Sequence, residues 1–311
     1  MSFVTVKKGD LLGRSIEDYP EGLVIPVDKP YRWTSADVIR KVKWAAIKHF
    51  GKRNLKVGHA GTLDPLATGV LLICIGKATK LADEFQKQPK QYIAGVTFGA
   101  TTASYDLEKE VDARYPLDGV SRESLLAVLP SFVGQQEQVA PLFSAKSVDG
   151  VRVYEMARKR YKAGLPVEGL DVIRASRINI YGLELLEFED VAGGVWSPSE
   201  RHATLGSVRG RGPNASLGGM SGGAANRIGG EPDASSAASS RINVAEAPSG
   251  LPKAEILVDC SKGTYIRALA RDLGEALGSG AFLHSLRRTR TGSFTAEDAL
   301  SLTDALEILS R

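Results

Sequence analysis

Cysteine is scarce in this chain, and so are long apolar runs. Its two cysteines, Cys74 and Cys260, lie far apart among 311 residues, each within an apolar stretch. A disulfide framework or structural zinc site needs more cysteines at closer spacing, so both are expected to be reduced core thiols. The longest apolar run, 70–75, is too short to span a bilayer, and residues 1–10 lack the apolar core of a signal peptide. The sequence therefore predicts a cytoplasmic protein without membrane contact.

Several chemical signatures are also missing. Around His59 and Asp64 no second histidine or acidic residue lies at metal-ligand spacing, so a metal site is not expected. The sequence has no serine–histidine–acid grouping and no GxxxxGK[ST] phosphate loop. What it does have is ordinary for a soluble globular protein, with 43% hydrophobic and 24% charged residues. Its net charge of +4 is compatible with a polyanionic partner without requiring one.

The chain is interpreted as one folded unit interrupted by one insert. Residues 1–20 are predicted to be an N-terminal extension. Residues 21–196 and 251–311 are predicted to form a single α+β catalytic domain. The intervening segment, 197–250, is crowded with Gly, Ser and Ala and contains no aromatic residue. Such a segment cannot bury enough apolar surface to offset its chain entropy, so we predict a disordered insert between two strands.

The arginines of this insert leave a second interpretation open. A passive linker is the simpler one, but these side chains could also touch RNA. They are Arg201, Arg209, Arg211, Arg227 and Arg241.

Apolar periodicity predicts the elements of the catalytic domain. A helix is expected to begin at Thr34 or Ser35, with Asp37 completing a capping box. A second helix follows Thr264 and stops at Gly278. Further helices are expected at 78–85 and 302–309, and strands at 23–27, 70–75, Lys90–Phe98, Ser176–Glu189 and 254–260.

A basic surface is predicted on the first of these helices and just after it. The helix keeps its apolar residues at helical spacing, which leaves its cationic side chains on an outer face. This face is either a solvated surface or a contact for phosphates. The candidate residues are Arg40, Lys41, Lys43, Lys52, Arg53 and Lys56.

Asp64 is the candidate catalytic carboxylate. It lies in a glycine-bounded stretch, 58–69, that is expected to be a loop feeding a buried strand. An Asp-Pro pair also commonly starts a turn, so a purely structural role stays open. His59 could contact a ligand or brace the loop.

Tyr92 and Arg267 are ambiguous until their positions in space are known. A tyrosine on an alternating strand usually packs in the core, and an arginine in a first helical turn usually faces solvent. If both lie beside Asp64, the arginine would keep the carboxylate ionised and the ring would offer a platform for a base.

Several motifs resemble those of one family. The stretch GHAGTLDPLATG at 58–69 is similar to the catalytic motif of the TruB family of pseudouridine synthases. Other segments resemble further motifs of the family in the same order: VDKP at 27–30 with TS at 34–35, KQY at 90–92, PLFSAK at 141–146 with YE at 154–155, and CSKGTYIR at 260–267 with LRR at 286–288. The resemblance covers about residues 21–295 apart from the insert.

The resemblance implies an enzyme that isomerises uridine 55 in the T loop of tRNA without a metal or cofactor. The N-glycosidic bond would break and the ribose would rejoin the base at carbon 5. By match, Asp64 would be the nucleophile or electrostatic partner, with attack on base or sugar left open. Tyr92 would stack on the base and help remove the carbon-5 proton, and Arg267 would pair with Asp64. The residues expected to contact the flipped nucleotide are His59, Tyr92, Tyr265, Leu286 and Lys29.

The resemblance also implies the fold and the partner. The fold would be α+β, a mixed and mostly antiparallel sheet flanked by helices, with an RNA-gripping insertion. The partner would be the T stem-loop of tRNA, bound by a monomer that requires no protein partner. A nucleotide within a folded RNA loop must be extruded before its glycosidic bond can be reached, which agrees with this architecture.

The sequence departs from the family pattern in three places. Residues Tyr31, Arg32 and Trp33 replace the usual glycine-containing turn, and the segment 197–250 is outside the family core. The chain is also expected to lack a full C-terminal RNA-binding domain of the PUA type. Two rival functions stay open: modification of another RNA uridine, and a non-enzymatic tRNA-folding chaperone.

Overall fold

A computed structural model of the chain describes residues 3–141, 143, 147–148, 151–152, 175–191, 195–196, 242 and 244–311. The predicted RNA-gripping insertion at 141–146 and 154–155 lies mostly outside these residues, as does most of the insert at 197–250. Within the described residues the fold is α+β, as predicted, with a mixed twelve-stranded sheet and flanking helices. No helix in this part of the chain is long and apolar enough to cross a membrane.

The part of the chain that the structure describes contains five α-helices and sixteen strands. The α-helices are α1 (Ser35–Phe50), α2 (Ala82–Lys87), α3 (Arg122–Val128), α4 (Ile266–Ala276) and α5 (Leu302–Ile308). The strands are β1 (Val4–Thr5), β2 (Leu23–Lys29), β3 (Val57–Ala60), β4 (Ala67–Ile75), β5 (Lys90–Phe98), β6 (Ala100–Thr102), β7 (Val111–Arg114), β8 (Gly134–Gln138), β9 (Ser147–Val148), β10 (Val151–Arg152), β11 (Ser176–Glu189), β12 (Val195–Trp196), β13 (Lys253–Cys260), β14 (Ala281–Thr291), β15 (Phe294–Thr295) and β16 (Leu300–Ser301).

The main sheet has the strand order β1-β2-β4-β14-β5-β13-β11-β12. Neighbours are antiparallel except where β1 and β16 pair with β2 and where β14 pairs with β4. The parallel pairing of β14 with β4 places Leu286 opposite Ala67, at the start of β4. The antiparallel pairing of β14 with β5 places Arg288 opposite Tyr92. The centre of the sheet therefore gathers three segments that are distant in sequence.

The core lies on both faces of strand β4, which explains its continuous apolar sequence. Leu71 and Ile73 point into the main core, where α1 and α4 also bury their apolar stripes. Val70 and Leu72 point to the opposite face and a smaller cluster. Both predicted core thiols are free and buried, and burial raises the pKa of Cys74 to about 12.

Several predicted elements are confirmed. Strands β5 and β11 have the predicted limits, and Thr34 caps α1 through a capping box with Asp37. Two predictions need correction. Residues 57–60 form strand β3 instead of a loop, because their backbone pairs with residues 72–75 of β4. The helix predicted at 78–85 divides into a 3-10 helix, Gly76–Leu81, and α2.

The predicted N-terminal extension and the predicted insert both contain described residues that pack into the fold. Strand β1 pairs with β2, so part of the predicted N-terminal extension belongs to the sheet. The insert, predicted to extend to Gly250, gives way to packed residues before that point. Ile242, Val244 and Ala245 pack into an apolar cluster, and Ala245 is 9% exposed. These apolar side chains bury the end of a segment whose composition is otherwise dominated by Gly, Ser and Ala.

Candidate active site

The predicted catalytic loop is a tight connection between β3 and β4. Ser35, at the start of α1, binds both backbone groups of Leu63 through its hydroxyl, at 2.9 and 3.1 Å. Just beyond the loop, Gly69 adopts φ 101°, and a Cβ there would lie 2.1 Å from the Arg288 carbonyl oxygen. Glycine is thus required at this point for β4 to pair with β14. These contacts fix the loop on both sides of Asp64.

Asp64 is held by a buried arginine from α4. The Nε of Arg267 donates to Oδ2 of Asp64 at 2.9 Å, although 203 positions separate the two residues. The other nitrogens of the guanidinium donate to the carbonyls of Ser104 and Phe143, both at 3.0 Å. Arg267 is 4% exposed, so it is not a surface helix residue. The Asp64 side chain remains 37% exposed and accessible to a ligand.

A second carboxylate, Asp106, faces the same arginine. Its Oδ2 lies 3.7 Å from Arg267 Nε, and the Ser104 hydroxyl donates to its Oδ1 at 2.6 Å. Burial raises the pKa of Asp106, while Arg267 opposes that rise. Burial also opposes the charge on Arg267, but Asp64 and Asp106 outweigh it and hold the arginine's pKa above its ordinary value. The site therefore contains one cation between two acids.

A small cavity, partly open to solvent, lies against this triad. His284 is on its wall, with Nδ1 2.9 Å from the Thr97 hydroxyl. Burial and the charge of Lys253 lower the pKa of His284 to about 4, so it is neutral at physiological pH. The lining residues are Asp64, Leu66, Ala67, Asp106, Arg267, Leu283, His284, Ser285 and Leu286.

Tyr92, on β5, and His59, on β3, are not among the residues that line this cavity. Tyr92 is buried, and both Arg288 and Asp64 lie close enough for their charges to act on its pKa. Burial raises the pKa of Tyr92, so its hydroxyl keeps its proton at neutral pH. His59 is half-buried in β3, where burial and Arg288 lower its pKa.

The remaining predicted residues have different surroundings. Leu286 lines the cavity. Tyr265 is the N-cap of α4, and its backbone N–H and carbonyl both bond the side-chain amide of Gln138. Lys29 is 1% exposed and donates to the carbonyls of Pro30, Trp33 and Pro65. Its ammonium is thus engaged within the protein, which favours bracing of the catalytic loop over contact with substrate.

Two residues of the site escaped sequence reasoning. Asp106 lies in an irregular turn without a motif, and no sequence pattern assigns it a role. Arg288 belongs to the LRR motif, which assigns it no specific role. It is 1% exposed and donates to the carbonyls of Gly61 in the catalytic loop and Val70 in β4, so it holds the loop against that strand.

Comparison with known proteins identifies the family. The model of the TruB family pseudouridylate synthase N-terminal domain matches residues 48–194, and that of the tRNA pseudouridylate synthase B C-terminal domain matches residues 267–310. A tRNA pseudouridine synthase B of Phocaeicola vulgatus is 41% identical over 285 residues, which cover 92% of each chain. One of Flavobacterium johnsoniae is 35% identical and covers 92% of this chain and 96% of the relative.

Solved structures share the fold at lower identity. The chain aligns with one in a crystal structure of a Cbf5-Nop10-Gar1 complex with a TM-score of 0.53 and 22% identity. The alignment covers 97% of this chain and 60% of the other, so the present chain spans little more than half of that protein. The two matched domains and the relatives show that this chain is an isomerase and belongs to the TruB family of pseudouridylate synthases.

Proposed function

We propose that this enzyme converts uridine 55 in the T loop of tRNA to pseudouridine, with Asp64 as its catalytic carboxylate. The observation that carries the proposal is the pairing of Asp64 with Arg267 at the wall of a cavity. A half-exposed carboxylate whose counter-ion is buried can be both ionised and reachable. Relatives that match over most of their length are named tRNA pseudouridine synthase B, which supports tRNA as the substrate.

The reaction is an isomerisation, so its atoms balance without a co-reactant. The bond from ribose C1′ to N1 breaks, the base turns, and a bond from C1′ to C5 forms. The proton on C5 is then lost and N1 gains one. Asp64 serves either as a nucleophile toward base or sugar or as an electrostatic partner of the separated sugar. In each case its charge must persist in a partly dry site, and Arg267 supplies the opposing charge.

The other site residues support this chemistry in distinct ways. Tyr92 is proposed to offer its ring to the base and its hydroxyl to late proton removal, once the flipped nucleotide enters the site. Leu286 gives the nucleotide an apolar wall. His59 and Tyr265 are proposed to border its path, and Lys29 to hold the catalytic loop through Pro65.

Substrate grip is proposed to come from the basic surface beside α1. An open groove of about 840 Å³ is lined in part by Lys43, Arg53 and Lys56. Two other candidates there have acidic partners, Arg40 with Asp37 and Lys52 with Glu17. The groove side chains are therefore better placed for phosphates, which hold an RNA in register without reading its bases.

The proposal includes the setting in which the enzyme works. We expect it to act in the cytoplasm as a monomer that needs neither a protein partner nor a cofactor. A gel-filtration mass and full activity of the purified chain in the presence of a metal chelator would check these expectations together.

The direct test uses tRNA transcripts carrying tritium at C5 of uridine. Turnover should release tritium into water, and replacement of uridine 55 by cytidine should abolish that release. Continued release from the replaced transcript would assign the activity to another uridine. Binding and refolding of tRNA without any release, from tRNA or ribosomal RNA, would favour the chaperone alternative.

A further inference from the structure

The last residues before β13 form a strap, defined as Ile242 and residues 244–251. We propose that this strap is a positioning element of the active site, locked by Arg32, although it belongs to none of the family motifs and contributes no residue to the cavity lining. The inference rests on the proposed role of Asp64. The strap is proposed to hold the turn that carries Asp106, and through that turn the arginine that holds Asp64.

Arg32 fastens one end of the strap. Its Nη2 donates to the carbonyl of Ile242 at 2.6 Å. Arg32 also has φ 64°, a left-handed conformation that a non-glycine residue keeps only where its surroundings hold it. Two of the three departures from the family pattern therefore contact each other: the glycine-free turn and the end of the insert. An arginine at this position gains a contact that glycine could not make.

The middle of the strap is fastened to the Asp106 turn. The N–H of Ala245 donates to the carbonyl of Leu107 at 2.8 Å. Ala245 and Leu251 are both buried in one apolar cluster with Leu107 and Leu66. Leu107 directly follows Asp106, and Leu66 lies two residues after Asp64. The strap thus packs against the backbone neighbours of both carboxylates.

The Asp106 turn is held both by hydrogen bonds within residues 102–108 and by contacts from outside. Tyr105 has φ 56°, which makes it the second non-glycine residue in the described chain with a left-handed backbone. Its carbonyl accepts from Leu283 N–H at 3.0 Å, on the cavity wall. Arg267 donates to the Ser104 carbonyl and lies 3.7 Å from Asp106. Displacement of this turn would therefore move acceptors of the arginine that orients Asp64.

Lys29 closes the arrangement on the other side. Its ammonium donates to the carbonyls of Trp33, in the Arg32 turn, and Pro65, next to Asp64. The contacts consequently form a ring from Asp64 through Lys29 to the Arg32 turn, across the strap to Asp106, and back through Arg267. The strap is thus connected to Asp64 in two ways, through Lys29 and through Asp106 with Arg267.

A pair of deletions separates the strap from the rest of the insert. Residues 200–240 are replaced with ten Gly/Ser residues, which can span up to about 33 Å, in a variant that keeps the strap. The matched variant replaces residues 200–250 with the same linker. The single-turnover rate constant, measured with saturating enzyme in excess over tRNA, should stay within about twofold of wild type for the first and fall about tenfold for the second.

Point variants keep the proposal testable if the longer deletion does not fold. Arg32→Asn tolerates the left-handed backbone but cannot reach Ile242, so the rate constant should fall about fivefold, the value of one hydrogen bond. Arg32→Lys keeps a donor and should recover most of the loss. Tritium release reports the rate, and tRNA affinity should be unchanged in both variants. With enzyme in excess, a change that only lowers the folded fraction leaves this rate constant unaltered.

The outcomes distinguish the two proposals. A wild-type rate constant in either Arg32→Asn or the folded 200–250 deletion would overturn the positioning role, while loss of turnover in Asp64→Asn would leave the proposed function standing. A fall in tRNA affinity at constant rate would also overturn it, because the strap would then bind RNA instead of orienting the site. Turnover by Asp64→Asn would remove the proposed function itself.

Discussion

Replacing Arg267 with lysine separates the charge of this residue from its geometry. A lysine would keep a cation between Asp64 and Asp106, so neither acid would lose its counter-charge. It cannot reproduce the planar fork that donates to Asp64, Ser104 and Phe143 in three directions. The substitution therefore tests whether orientation of the carboxylate matters beyond its ionisation.

The expected magnitude follows from the contacts. A hydrogen bond to a charged group contributes about 1.5–3 kcal/mol, and about 1.4 kcal/mol is a tenfold change in rate. Loss of the directed bond to Asp64 should thus lower kcat by about tenfold to a hundredfold in Arg267→Lys. Removing the charge as well, in Arg267→Met, leaves two acids without a cation at a cost of about 3–5 kcal/mol, so a larger loss is expected.

The assay is tritium release under single-turnover conditions, with a thermal melt of each variant. Arg290→Lys is a matched control, because Arg290 also pairs with an aspartate, Asp259 at 2.6 Å, but lies outside the cavity lining. We expect the control to keep its rate within about twofold. A folded Arg267→Lys enzyme that turns over like wild type would refute the argument that the fork orients Asp64.

Three further predictions concern the base, the RNA and pH. Tyr92→Phe should keep tRNA binding but stall after base rearrangement, and wild-type turnover would assign the proton step to another group. tRNA affinity should fall at least about tenfold between 50 and 200 mM salt, since cations displace counter-ions from phosphates, whereas a flat response would contradict a phosphate-binding surface. The residues concerned are Arg40, Lys41, Lys43, Lys52, Arg53 and Lys56. Finally, the folded-state pKa of His284, about 4, lies below its ordinary 6.5, so the unfolded chain gains the proton first as pH falls through this window. Chemical denaturation should show that wild type loses on the order of 2 kcal/mol more than His284→Gln between pH 6.5 and 4, and equal losses would contradict burial of a neutral imidazole.

The strands and capped helices were predictable because their signals are local. Alternation in β5 and the Thr34 capping box of α1 depend on neighbours within a few residues, and both are confirmed. The position of Arg267 was not predictable from periodicity, since Asp64 lies 203 positions away and only the family resemblance joined them. The hydrogen bonds of Asp106 to Ser104 and Glu108 are local, but its ion pair with Arg267 arises from tertiary packing, which leaves no mark on the sequence of an irregular turn.

The end of the insert shows the same limit. Composition over 197–250 indicated disorder, because glycine, serine and alanine dominate that average. Ile242 and Ala245 nevertheless pack against Leu107, where a few apolar side chains suffice once a surface exists to receive them. The average composition of a long segment does not reveal a few apolar residues that pack at its end.

Asp64→Asn tests the central claim most directly. The amide keeps the size and much of the hydrogen bonding of the carboxylate but removes its charge, and Asp83→Asn, on the exposed start of α2, is the matched control. Single-turnover tritium release should be undetectable in Asp64→Asn and unchanged in the control, with tRNA affinity within a few-fold of wild type in both. Measurable turnover by the purified Asp64→Asn enzyme would show that the catalytic group lies elsewhere.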